Sequence, residues 1–98
     1  MPRFLIEVPH DADTLECTRV VHVFLSTGSH FLTNAEWGCK SGVHKAWILV
    51  DMDSESDARA IVPPAFRHAA RVVGVTRFTL AEIEPALRKL EARARGNG

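Results

Sequence analysis

Residues 30–51 read HFLTNAEWGCKSGVHKAWILVD, and the fold turns on how they pair. The flanks 30–37 and 43–51 have strand character, and GCKSG between them supplies two glycines for a hairpin connection. A register with Trp37 opposite His44 sets Glu36 against Lys45 and His30 against Asp51 on one face. Trp37, His44, Ala35, Ala46, Thr33, Ile48, Phe31 and Val50 then share the other face. The charge pairs come out opposite in sign, which supports this register.

Working outward, residues 3–8 (RFLIEV) alternate, with Phe4, Ile6 and Val8 on one face, until Pro9 stops the ladder. Asp13 and Glu16 have capping-box spacing, so a helix is expected to start there, run to about Thr27 and stop at Gly28. Cys17, Val20, Val21 and Phe24 form its buried stripe, which marks Cys17 as a small core residue, and His22 points outward. A second helix is expected from Ser54 to Val62, ended by Pro63 and Pro64, with PPAF as a rigid connection. Residues 69–77 predict a fourth strand with a bulge at Gly74. Thr79 and Glu82 cap a last helix over 79–95, bent at Pro85, and the tail RARGNG (93–98) is expected to fray.

One domain over 1–98, with a core at 3–78, accounts for the whole chain: 98 residues are too few for two cores. Twelve basic residues balance 12 acidic ones, which removes the electrostatic reason to expect nucleic acid or an anionic membrane as partner. No apolar run approaches a membrane span, nothing marks secretion, and a cytoplasmic protein with reduced thiols at Cys17 and Cys39 is the expectation.

The order βαββαβ plus a C-terminal helix predicts an α+β ferredoxin-like arrangement, with helices on one face of a four-stranded antiparallel sheet and strand three between strands one and two. Its other face is expected to carry Leu5, Leu32, Trp47, Leu49, Val73 and Val75 among Glu7, Glu36, Lys45 and Arg71, an apolar patch too large for a monomer. On this pattern over 3–78 the chain resembles the dimeric α+β-barrel superfamily, which includes muconolactone isomerase-like proteins and small antibiotic-biosynthesis monooxygenases. The strings PRFLIEVPH, FLTNAEWGC and IVPPAFR also resemble a group of small uncharacterised bacterial proteins. The resemblance implies a homodimer through the open sheet face and a ligand site between sheet and helices; it transfers no catalytic residue.

The same topology brings His10, Trp37, Cys39, His44 and His68 to one edge, with Asp11, Asp13 and the 63–67 connection bordering it. His44, His10 and His68 are the candidate catalytic residues, as imidazoles that titrate near neutral pH, and Trp37, Cys39 and Arg67 the candidate ligand-binding residues. Strand-end histidines also serve as hydrogen-bonded packing groups, and Trp37 as core. The leading expectation is a homodimer that binds a small aromatic or carboxylated metabolite here, with isomerase or cofactor-free oxygenase chemistry. The alternatives are a transition-metal protein using the same histidines and a noncatalytic ligand sensor or assembly module. Three imidazoles beside a thiol suit zinc, nickel or iron, yet no HExxH or paired CxxC spacing is present, and no cofactor is assigned. Trp47 is the expected interface anchor, and His30–Asp51 a structural pair at the opposite edge.

Overall fold

The computed structural model describes residues 1–96, an α+β fold. Strands β1 (Arg3–Pro9), β2 (Glu36–Trp37), β3 (Lys45–Asp51) and β4 (Arg71–Val75) form an antiparallel sheet in the order β2-β3-β1-β4. Strand three therefore lies between one and two. Helix α1 (Thr14–Ser26) follows β1, α2 (His30–Thr33) precedes β2, α3 (Glu55–Arg59) and α4 (Pro64–Arg67) join β3 to β4, and α5 (Leu80–Gly96) ends the described chain.

Parity along the strands sets the core. Ile6 and Val8 of β1 and Ala46, Ile48 and Val50 of β3 are buried on the face that meets Val20 and Phe24 of α1, Leu32, Ala58 and Val62. Phe24 is fully buried and lies edge-on to Trp37 at 5.0 Å; burying a ring of this size contributes roughly 1.5–3 kcal/mol. The Asp13 carboxylate caps α1, accepting from the Glu16 amide at 3.1 Å, as the spacing predicts. Glu16 does not return the bond: its carboxylate pairs with Arg19 at 2.9 Å.

The hairpin departs from expectation. Residues 30–33 are helical, capped by the Ser29 hydroxyl, and only Glu36–Trp37 pairs with β3. The turn places Leu32 in the core rather than on the open face, with 2% of its surface exposed. The register is offset by two residues, Trp37 opposite Ala46 and Glu36 opposite Trp47, because a 3-10 turn at Cys39–Ser41 lengthens the connection. Trp37 keeps its face, since an even offset preserves parity. The expected cross-strand charge pairs do not form. His30 bonds Asn34, Asp51 pairs with Arg3 at 3.0 Å, and Lys45 pairs with Glu7 at 3.5 Å.

Smaller corrections follow local chemistry. Helix α3 stops at Arg59, short of the prolines, and Pro64 opens α4, where its missing N–H costs no helical bond. Gly74 is in register opposite Phe4 without a bulge. Helix α5 starts after the Thr79 cap as predicted, continues past Pro85 and remains helical to Gly96; the last two positions of the expected frayed tail, 97–98, lie outside the described residues.

Leu5, Trp47, Leu49, Val73 and Val75 alternate away from the core with Glu7 and Arg71, as expected for the open face. Every residue of α5 is exposed, including Ile83, Leu87 and Leu90 at 41%, 53% and 58%. The radius of gyration is accordingly 18.7 Å, against about 13 Å for a compact chain of this size. Among the described residues no helix is long and apolar enough to cross a membrane.

Candidate metal centre

Four elements end at one corner of the helix-covered face. His10 follows the last residue of β1, Cys17 completes the first turn of α1, Cys39 opens the 3-10 turn and His44 immediately precedes β3. Backbone bonds hold these ends together. The His10 amide donates to the His44 carbonyl at 3.0 Å, and the Gly38 amide to the Lys45 carbonyl at 3.1 Å. The Gly38 carbonyl accepts from Ser41 and Val43 at 2.9 and 3.0 Å, and Gly42, at φ 81°, closes the turn in a conformation that favours glycine. Gly38 has no room for a side chain: a Cβ there would stand 2.6 Å from the Val43 carbonyl oxygen and 2.8 Å from the Trp47 ring.

The side chains converge. His10 Nε2 is 3.2 Å from Cys17 Sγ and 3.3 Å from Cys39 Sγ, and the His44 ring stands edge-on to His10 with centroids 5.4 Å apart. One nitrogen or sulfur atom from each of His10, Cys17, Cys39 and His44 lies within 4.8 Å of the other three. Tetrahedral zinc, with bonds near 2.3 Å to sulfur and 2.0–2.1 Å to nitrogen, would hold such atoms about 3.3–3.8 Å apart, so the group is close to ligand spacing. Trp37 walls the cluster, its ring edge-on to His10 at 5.7 Å and to Phe24 beyond.

The electrostatics suit a neutral-imidazole, two-thiol set. Burial, and then the neighbouring His44, push the His10 imidazolium down from its usual range, against a smaller opposing pull from Asp11, so the ring keeps a free lone pair at neutral pH. The Cys17 thiol is pushed up, chiefly by its hydrogen bond to Cys39 and then by burial, so without a cation it holds its proton. A divalent metal reverses that preference by displacing thiol protons. The Nδ1 atoms of His10 and His44 are buried and have no hydrogen-bond partner among the described residues. Each such orphan costs about 1–3 kcal/mol, so the corner is polar and under-satisfied.

Of the site residues expected from sequence, the structure brings His10, Trp37, Cys39 and His44 together, although His44 meets the cluster from the turn rather than as the cross-strand neighbour of Trp37. His68 and Arg67 lie elsewhere. His68 is the exposed C-cap of α4 and leads into β4, two strands away from β3 across β1. The Arg67 guanidinium donates to the Val62 carbonyl at 2.9 and 3.0 Å and to the Ala60 carbonyl at 3.1 Å, tying the α3–α4 connection. Asp11 accepts from the Asp13 amide at 2.8 Å, which orders the entry to α1.

Sequence reasoning missed Cys17. Its place on the buried stripe is correct, but that stripe ends against the strand terminus carrying His10, so the first turns of α1 face the corner. The readable signal was that both cysteines fall within seven residues of a histidine, as His10-x6-Cys17 and Cys39-x4-His44. No family model, curated protein or solved structure matches this chain.

Proposed function

We propose that this protein binds one zinc ion through His10, Cys17, Cys39 and His44. The observation that carries the reading is the tetrad itself, four nitrogen and sulfur donors within 4.8 Å of one another. Two thiolates and two imidazoles in tetrahedral array select zinc among common divalent metals, and their summed charge neutralises the ion. Four protein ligands leave no open position for a substrate, so the ion is a clasp that fixes the end of β1, the start of α1, the Cys39 turn and the entry to β3.

This favours the transition-metal alternative over a metabolite acted on by His44, His10 and His68, since the four donors converge within 4.8 Å of one another and His68 is not among them. A cleft of ≈ 530 Å³ lined by Arg3, Leu49, Asp51 and Arg77 lies instead at the opposite end of the sheet. The test is metal analysis of untagged, reduced protein followed by cobalt substitution. One equivalent of zinc, replaced by cobalt with tetrahedral ligand-field bands and a thiolate charge-transfer band, supports the reading; metal-free protein that takes up neither ion refutes it.

The assembly we infer is a ferredoxin-like α+β-barrel homodimer. The lone exposed α5, with its Ile83, Leu87 and Leu90 stripe, and the open face carrying Leu49 and Val73 support it. An isolated helix of 17 residues is marginal in water, and a two-fold partner offers each chain an apolar surface for both unpartnered regions.

A further inference from the structure

We propose, on the basis of the zinc reading above, that the centre is a redox-gated clasp: a peroxide joins Cys17 to Cys39 in a disulfide and expels the ion. These are the chain's 2 cysteines, and both are in the tetrad. Oxidation therefore removes half of the donors in one step, and the two imidazoles that remain cannot retain zinc against competition from bulk ligands. The sulfurs come from different elements, α1 and the 3-10 turn, and are already within 4.8 Å, against the about 2.05 Å of a disulfide bond. Both residues are only partly buried, which gives a small oxidant access. Each sulfur also contacts His10 Nε2, at 3.2 and 3.3 Å, so the two thiols meet at one point of the corner.

The chemistry balances with hydrogen peroxide as the oxidant. One thiolate sulfur attacks a peroxide oxygen, the O–O bond breaks, and a sulfenic acid and hydroxide result. The second thiolate attacks that sulfur, the S–S bond forms, the S–O bond breaks and a second hydroxide leaves. The two sulfurs together give up two electrons, two solvent protons convert the hydroxides to water, and zinc departs as the free dication. A dithiol reductant reverses the step and regenerates the ligand pair.

The experiment uses the zinc-loaded full chain, titrated with hydrogen peroxide in the absence of other thiols. Zinc release is followed with a chromophoric chelator, and the products are mapped as peptides by mass spectrometry. The expected result is one zinc released per Cys17–Cys39 disulfide, within a single chain, with zinc uptake restored by dithiothreitol. Zinc retained after peroxide, or released with sulfinic acids or interchain disulfides in place of the 17–39 link, overturns the switch and leaves the zinc centre standing. Reduced protein that never holds zinc overturns the centre and the switch together.

Discussion

His10 Nε2 stands 3.2 Å from Cys17 Sγ, seven residues further along a chain that has left a strand and entered a helix between them. That contact couples the metal corner to the core, because the α1 face that carries Cys17 also carries Val20 and Phe24. Binding at the corner should therefore register as global stability. Zinc that binds the folded state alone, at 100 times its dissociation constant, adds about 2.7 kcal/mol. A chelator should lower the unfolding midpoint reversibly, and a midpoint indifferent to both zinc and chelator would speak against a clasp.

The four donors should be separable from their neighbours by affinity. Cys17→Ser, Cys39→Ser, His10→Ala and His44→Ala are each expected to weaken zinc binding at least tenfold, or about 1.4 kcal/mol. His22→Ala, on the exposed side of α1, and His68→Ala, at the end of α4, should bind as the parent does. Competition titration with a chromophoric chelator measures all six, and equal loss in the His68 variant would move the site.

Gly38 links the turn to the sheet and should tolerate no side chain. Gly38→Ala places a methyl 2.6 Å from the Val43 carbonyl oxygen and against the Trp47 ring, so the turn that aims Cys39 must shift. Overpacking of this kind costs about 1–3 kcal/mol, and zinc affinity should fall with stability. Gly74→Ala is the comparison, because its methyl meets Phe4 at 3.6 Å, an ordinary contact. Denaturant titration should rank Gly38→Ala well below Gly74→Ala, and equal midpoints would contradict the packing.

The open face has its own pH signature. Glu7 accepts from the Trp47 indole at 3.1 Å, and this bond, helped by Lys45 and Arg71, holds its carboxyl below the usual 4.5. A carboxyl depressed by folding contributes stability that is full above about pH 4.5 and is lost as pH falls through its folded value. Glu7→Gln keeps an acceptor for the indole but loses the charge. Its stability deficit relative to the parent should be present at pH 7 and shrink toward pH 3; a deficit that is constant with pH would assign it to packing.

The dimer proposal rests on the same face. Trp47→Glu sets a charge in the apolar row with Leu49 and Val73, and Leu87→Asp breaks the exposed α5 stripe. Each is expected to give monomer by light scattering at concentrations where the parent is dimeric. Two variants that remain stable dimers would remove this interface.

The sequence by itself determined the pieces whose rules are local. Alternation in RFLIEV gave β1 and its buried face, Asp13 fixed the start of α1, Thr79 the start of α5, and the order of elements predicted strand three between one and two. Tertiary structure decided the rest. Residues 30–33 have the apolar content of a strand, but the Ser29 cap and the space for Leu32 in the core favour a helical turn, which no period-two count detects. Arg3 took Asp51 because β1, distant in sequence, is its neighbour in the sheet. Cys17 joined the corner for the same kind of reason. A helical stripe identifies which side chains turn inward, whereas which of them reaches the sheet edge rather than its middle depends on how the helix crosses the strands, and that is settled by packing of the whole domain.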